Sequence, residues 1–85
     1  MIEQFVKKPI IVEAIQWTGK NEHEIMKFVG SHCCLVNKSN GKALIINTLE
    51  GDHYASVNDW IVKGVKGEFY PVKPDIMEQT YTQVN

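Results

Sequence analysis

At 85 residues, with 44% hydrophobic and 22% charged side chains, the chain is sized for one domain, and its composition excludes a disordered, collagenous or coiled-coil polypeptide. Net charge is −1 and all nine basic residues are lysine, so the arginine fork that reads guanine and clamps phosphate is missing. That argues against sequence-specific nucleic-acid binding and against any general attraction to acidic membranes.

The apolar runs at 10–12 and 43–46 are far below the roughly 20 residues that cross a bilayer. Residues 1–9 lack the basic start, apolar middle and small-residue cleavage site of an export signal, and Cys33 and Cys34 are adjacent, so a bond between them would staple nothing distant. A cytoplasmic protein in a reducing compartment is the expectation, with no membrane partner.

Residues 9–17, rich in β-branched side chains and nearly apolar on both faces, predict a central strand. Thr18-Gly19-Lys20 breaks it, and Asn21 with Glu24 has the spacing of a reciprocal helix N-cap. Ile25, Phe28 and Val29 then form one apolar stripe opposite Glu22, His23, Glu24 and Lys27, and Gly30 ends the helix as a left-handed cap.

A strand is predicted over 32–37, a tight hairpin turn at Lys38-Ser39-Asn40-Gly41, and a return strand over 42–48. Glu50-Gly51-Asp52 turns into a strand over 53–57, Asn58-Asp59 into 60–63, and residues 64–67 into 68–72. Pro74 opens a closing helix, with Asp75 at its positive end and Met77, Tyr81 and Val84 on one stripe. The order β-α-β-β-β-β-β-α has no βαβ rhythm; it predicts one α+β domain over residues 1–85, with a curled antiparallel sheet or a partly open barrel.

No motif carries catalysis. His32-Cys33-Cys34 with His53 is the one metal-like group, yet strand alternation puts His32 and Cys34 on one face and Cys33 on the other, so ordinary strand cysteines are preferred to a zinc site. Ser31, Ser39 and Ser56 lack the elbow of a reactive serine, and no phosphate-cradling glycine loop is present, so neither a metal nor a cofactor is expected. Glu13, between Ile11 and Ile15, is conceivable as a general acid, or His53 as a base, though an edge strand or a lysine partner explains Glu13 more simply.

The segment Val57-Asn58-Asp59-Trp60-Ile61-Val62-Lys63-Gly64, continuing through Glu68-Phe69-Tyr70-Pro71 to Lys73-Pro74-Asp75-Ile76, resembles a family of short, mostly uncharacterised proteins of bacteriophages and prophages. Asn47-Thr48-Leu49-Glu50-Gly51-Asp52, the stretch Lys8-Pro9-Ile10-Ile11-Val12-Glu13-Ala14-Ile15-Gln16-Trp17 and Thr80-Tyr81 fit the same pattern, which therefore spans nearly the whole chain. Two positions depart from it: the family often has Gly-Asp at Asn58-Asp59 and Cys at Val72.

The resemblance implies an accessory phage protein and places no catalytic residue on these positions. The expected function is a non-enzymatic binding module that recognises a host protein or sequesters a small host metabolite. Its expected contact surface is Asp59, Lys63, Glu68, Lys73 and Asp75 pointing outward beside Trp60 and Tyr70. A homo-oligomer whose interface completes the core or a ligand pocket is the alternative, with a small acid-base enzyme behind it.

Overall fold

The computed structural model describes residues 1–6, 8–38 and 41–84, with the backbone alone at 37, 38, 41 and 42. The elements run β1 (Glu13–Gln16), α1 (Glu22–Val29), a 3-10 turn (Gly30–His32), β2 (Cys33–Lys38), β3 (Gly41–Thr48), β4 (Gly51–Ala55), β5 (Trp60–Lys63), β6 (Phe69–Val72) and α2 (Pro74–Thr80). The predicted order holds. The curled sheet or partly open barrel does not, because the described strands form two separate antiparallel sheets of three, β1-β5-β6 and β2-β3-β4.

The split happens at residues 56–59. In a continuous meander β5 would pair with β4; here the amide of Asn58 donates to Trp17 O at 2.6 Å and the amide of Trp17 donates to Asp59 O at 2.8 Å. Two residues thus face one, and Asn58 has a φ of 81°. That is the geometry of a bulge whose first residue is left-handed, a place normally taken by glycine. The amide of Asp59 also donates to Ser56 O, closing a turn with the positive φ at its third residue. This corner hands β5 to β1 and away from β4.

β5 is suited to that position, since Ile61 and Val62 point to opposite faces and both are fully buried. One face of its sheet, with Ile15, Ile61 and Phe69, packs on Leu44, Ile46 and Ala55 of the other sheet, and Ile25 and Val29 of α1 close the core with Trp17. The ring of Phe28 meets Phe69 edge-on at 5.5 Å, so the apolar stripe read from the sequence does face the core.

β1 is shorter than the strand predicted over 9–17, and it lies at the edge of its sheet. Glu13 pairs with Lys63, where β5 ends, so residues 9–12 meet no strand in this sheet. Asn21 does not cap α1 with its side chain; its Nδ2 donates to Gln16 O and to Glu24 Oε1, and its Oδ1 accepts from Thr18. The Asn21–Glu24 pair therefore forms but ties the helix to the end of β1. Gly30 has φ 69° and ψ −130°, outside the left-handed helical well, and the chain continues into the 3-10 turn that contains His32.

Lys38 pairs with Gly41, while Ser39 and Asn40 of the predicted turn lie outside the described residues. Gly51 and Asp52 belong to β4, so that hairpin turns at Leu49 and Glu50, and β4 stops at Ala55 because Ser56 opens the corner. α2 starts with Pro74 at its first turn as expected but ends at Thr80, leaving Tyr81 half-buried beyond it and Val84 exposed.

The corner yields a direct test. Asn58→Gly should be neutral or stabilising by up to ~1 kcal/mol, whereas Asn58→Val should cost ~2 kcal/mol or more, since a β-branched residue resists positive φ. Urea unfolding of the two variants measures the difference, and equal stabilities would contradict the bulge.

Candidate functional site

The second face of the β1-β5-β6 sheet carries the site. Ala14, Trp60, Val62 and Tyr70 share it, because Ala14 pairs with Val62 and Val62 with Tyr70, and Trp60 follows by alternation. Ala14 and Trp60 floor a trough of about 620 Å³, with Lys8 to Val12 on one side and Met77, Thr80 and the segment Tyr81 to Val84 on the other. Its lining is apolar with a polar rim of threonines, Gln83 and one charged group, Lys8.

Polar contacts set the α2 wall at both ends. At its start, Lys73 Nζ lies 3.1 Å from Asp59 Oδ2 and also donates to Ser56 Oγ, while the amide of Ser56 donates to the same carboxylate oxygen at 2.9 Å. Past its end, the hydroxyls of Tyr70 and Tyr81 are 3.4 Å apart. Burial, followed by the bond to Tyr81 and the nearby Tyr81 and Glu68, pushes the Tyr70 phenol up to about 12.

The expected contact surface is thus redistributed. Asp59 does not point outward; it is 2% exposed and organises the corner. Trp60 lines the trough, whereas Tyr70 lines a separate cleft and touches the trough wall only through its hydroxyl beside that of Tyr81; both are half-buried. Lys63 pairs with Phe69 and lies on the opposite face from Trp60 and Tyr70, solvent-exposed. Glu68 folds back over Gly64, where a Cβ would collide with its carboxylate, and accepts from the amide of Lys66. Lys73 is the exposed partner of Asp59, and Asp75 is exposed in the first turn of α2.

The sequence reading missed Ala14, Met77 and the wall formed by residues 9–12. Their signal was present: an apolar stretch opened by a proline and lacking the alternation of a half-buried strand, followed by one small residue.

A second, smaller cleft of about 350 Å³ lies where the sheets meet, lined by Thr48, Glu50 and His53 on one side and Glu68, Phe69 and Tyr70 on the other. Glu13 is exposed on β1 and takes no part in it, so the two residues weighed for acid-base work do not converge. His32 leans on the Phe69 ring at 5.5 Å, and Cys33 donates weakly to Gly30 O. Burial and the neighbouring Cys34 raise the Cys33 thiol, which keeps it protonated and a poor nucleophile. Among the described residues, no group of three or more His, Cys, Asp or Glu side chains could hold a metal ion. None of their helices is long and apolar enough to cross a membrane.

Two outcomes test this geometry. Asp59→Ala should cost about 2–3 kcal/mol, because a buried acceptor of a charged bond and of the Ser56 amide is lost, whereas Lys73→Ala should cost less, about 1–2 kcal/mol, because the carboxylate loses its cation but keeps the Ser56 amide and gains water where the mostly exposed ammonium stood. Denaturant curves decide, and equal costs would contradict the corner role of Asp59.

In an alkaline titration followed by tyrosinate absorbance, one group should ionise near pH 12, and Tyr70→Phe should abolish that phase. Because the folded-state value is raised, the contribution of Tyr70 to stability is complete below about pH 10 and is lost as the pH climbs through about 12.

Compared with known protein families, with curated proteins and with solved structures, the chain matches none, so its function is to be read from its own geometry.

Proposed function

We propose that this protein is a non-enzymatic binding module, a phage or prophage accessory protein that works in the cytoplasm of a bacterial host and takes its ligand in the Trp60 trough. The observation that carries the reading is the trough itself. About 620 Å³ falls within the range of sites that enclose small molecules or anchor side chains, and an apolar floor with a few polar rim groups is their usual make-up.

Its chemistry favours a ligand with an apolar body, either a small host molecule or one or two large apolar side chains of a host protein. Trp60 supplies a rigid aromatic contact surface at little entropic cost, and the rim of Lys8, Thr80, Thr82 and Gln83 can orient polar groups. The resemblance of residues 57–76 to phage and prophage proteins supports the host setting.

The test is capture from bacterial host lysate by the tagged chain, with bound proteins and heat-released small molecules both analysed, set against Ala14→Leu. That variant fills the trough from its floor and removes no core contact. Capture should fall at least ~10-fold while the circular dichroism spectrum is unchanged, and the emission of Trp60 should shift when the captured ligand is returned to the wild type. Undiminished capture by Ala14→Leu would refute the trough as the seat.

A further inference from the structure

Residues 1–6 read Met-Ile-Glu-Gln-Phe-Val, and their large apolar side chains touch almost nothing: Ile2 is 96% exposed, Phe5 86% and Val6 94%. Three such side chains together on one short segment are an unpartnered apolar surface, not scattered surface residues. The molecule is correspondingly long, 52 × 30 × 21 Å. Its radius of gyration is 14.4 Å, against about 12 Å for a compact chain of this length.

On the same molecule lies an apolar trough whose wall begins at Lys8, two positions after the last residue of this segment. Pro9 restricts Lys8 to extended conformations and is itself fixed in φ, so the start of the trough wall is stiff, and Phe5, 86% exposed, does not sit in its own trough.

We propose that the trough takes the N-terminal segment of a second copy of this chain, Phe5 seating beside the partner copy's Trp60, in a reciprocal two-fold exchange. The proposal rests on the trough being a ligand seat and names its resting occupant. Charge does not oppose the pairing, for the segment 1–6 carries Glu3 beside the Met1 ammonium and the trough lining carries a single charged group, Lys8. Area fits it. A buried Phe alone accounts for ~150–250 Å², and with Ile2 and Val6 on two exchanged segments and the troughs beneath them the total reaches the ~1,200–2,000 Å² of a stable interface. The exchange is self-complementary and closes at two copies. A host ligand then binds by displacing the segment, and the dimer is the unliganded form.

Sedimentation equilibrium of the full chain across the micromolar range tests it, with Phe5→Asp in the segment and Val84→Asp in the trough wall. Both residues are exposed, so neither change threatens the fold. The wild type should be dimeric, and each variant should raise the dissociation constant at least ~30-fold. Mixing the two should restore heterodimers, since the Val84→Asp chain still offers an intact segment to the intact trough of the Phe5→Asp chain. A wild type that stays monomeric, or variants that both stay dimeric, would overturn the exchange. The trough reading fails separately, through undiminished capture by Ala14→Leu, and a monomer that still loses capture on Ala14→Leu refutes the exchange alone.

Discussion

One buried carboxylate at one corner determines what the rest of this small fold can do. Asp59 accepts from the Ser56 amide and from Lys73, and the backbone around it bonds to both sides of Trp17. A charge that is 2% exposed is costly without such partners, so the corner is defined as a unit: turn, bulge and ion pair form together. The unit directs β5 to β1, and through Lys73 it fixes where α2 begins. Both the floor of the trough and one of its walls descend from that arrangement.

The division into two sheets has a cost and a use. Neither sheet of three strands is large, and the core they share is a single layer of residues from both, completed by α1 and Trp17. A sheet with a fully buried Val62 on its second face must cover that face too, and the chain does so with segments from near both of its ends. Loops and short helices cover a sheet less tightly than another sheet does, and the space left over between them is the trough.

Element order, the two hairpins of the β2-β3-β4 sheet and the inward stripe of α1 were legible because each rests on local chemistry: turn residues, periodicity and breakers. The two-sheet architecture was not, since a meander and a split meander have the same order of strands and differ only in which edge receives β5. The deciding residue is Asn58, whose side-chain type permits positive φ without demanding it. Asp59 was misplaced for a related reason: an acidic residue in a turn is ordinarily solvated, and only the position of Lys73, 14 residues away, shows that this one is enclosed. Trp60 and Tyr70 were singled out because large aromatics with polar tips mark contact surfaces, and of the two Trp60 lines the trough, but the opposite wall, residues 9–12, was read as strand. Its β-propensity is real; what it lacks is a partner, because β5 ends at Lys63.

Amide hydrogen exchange on wild type and Asp59→Ala tests most directly whether the corner organises the second face. Loss of the carboxylate should deprotect Trp17, the β5 strand and the start of α2 while the β2-β3 hairpin keeps its protection, as expected when one cooperative unit opens ahead of the rest. Uniform loss across both sheets, or unchanged protection at Trp17 and β5, would contradict the account.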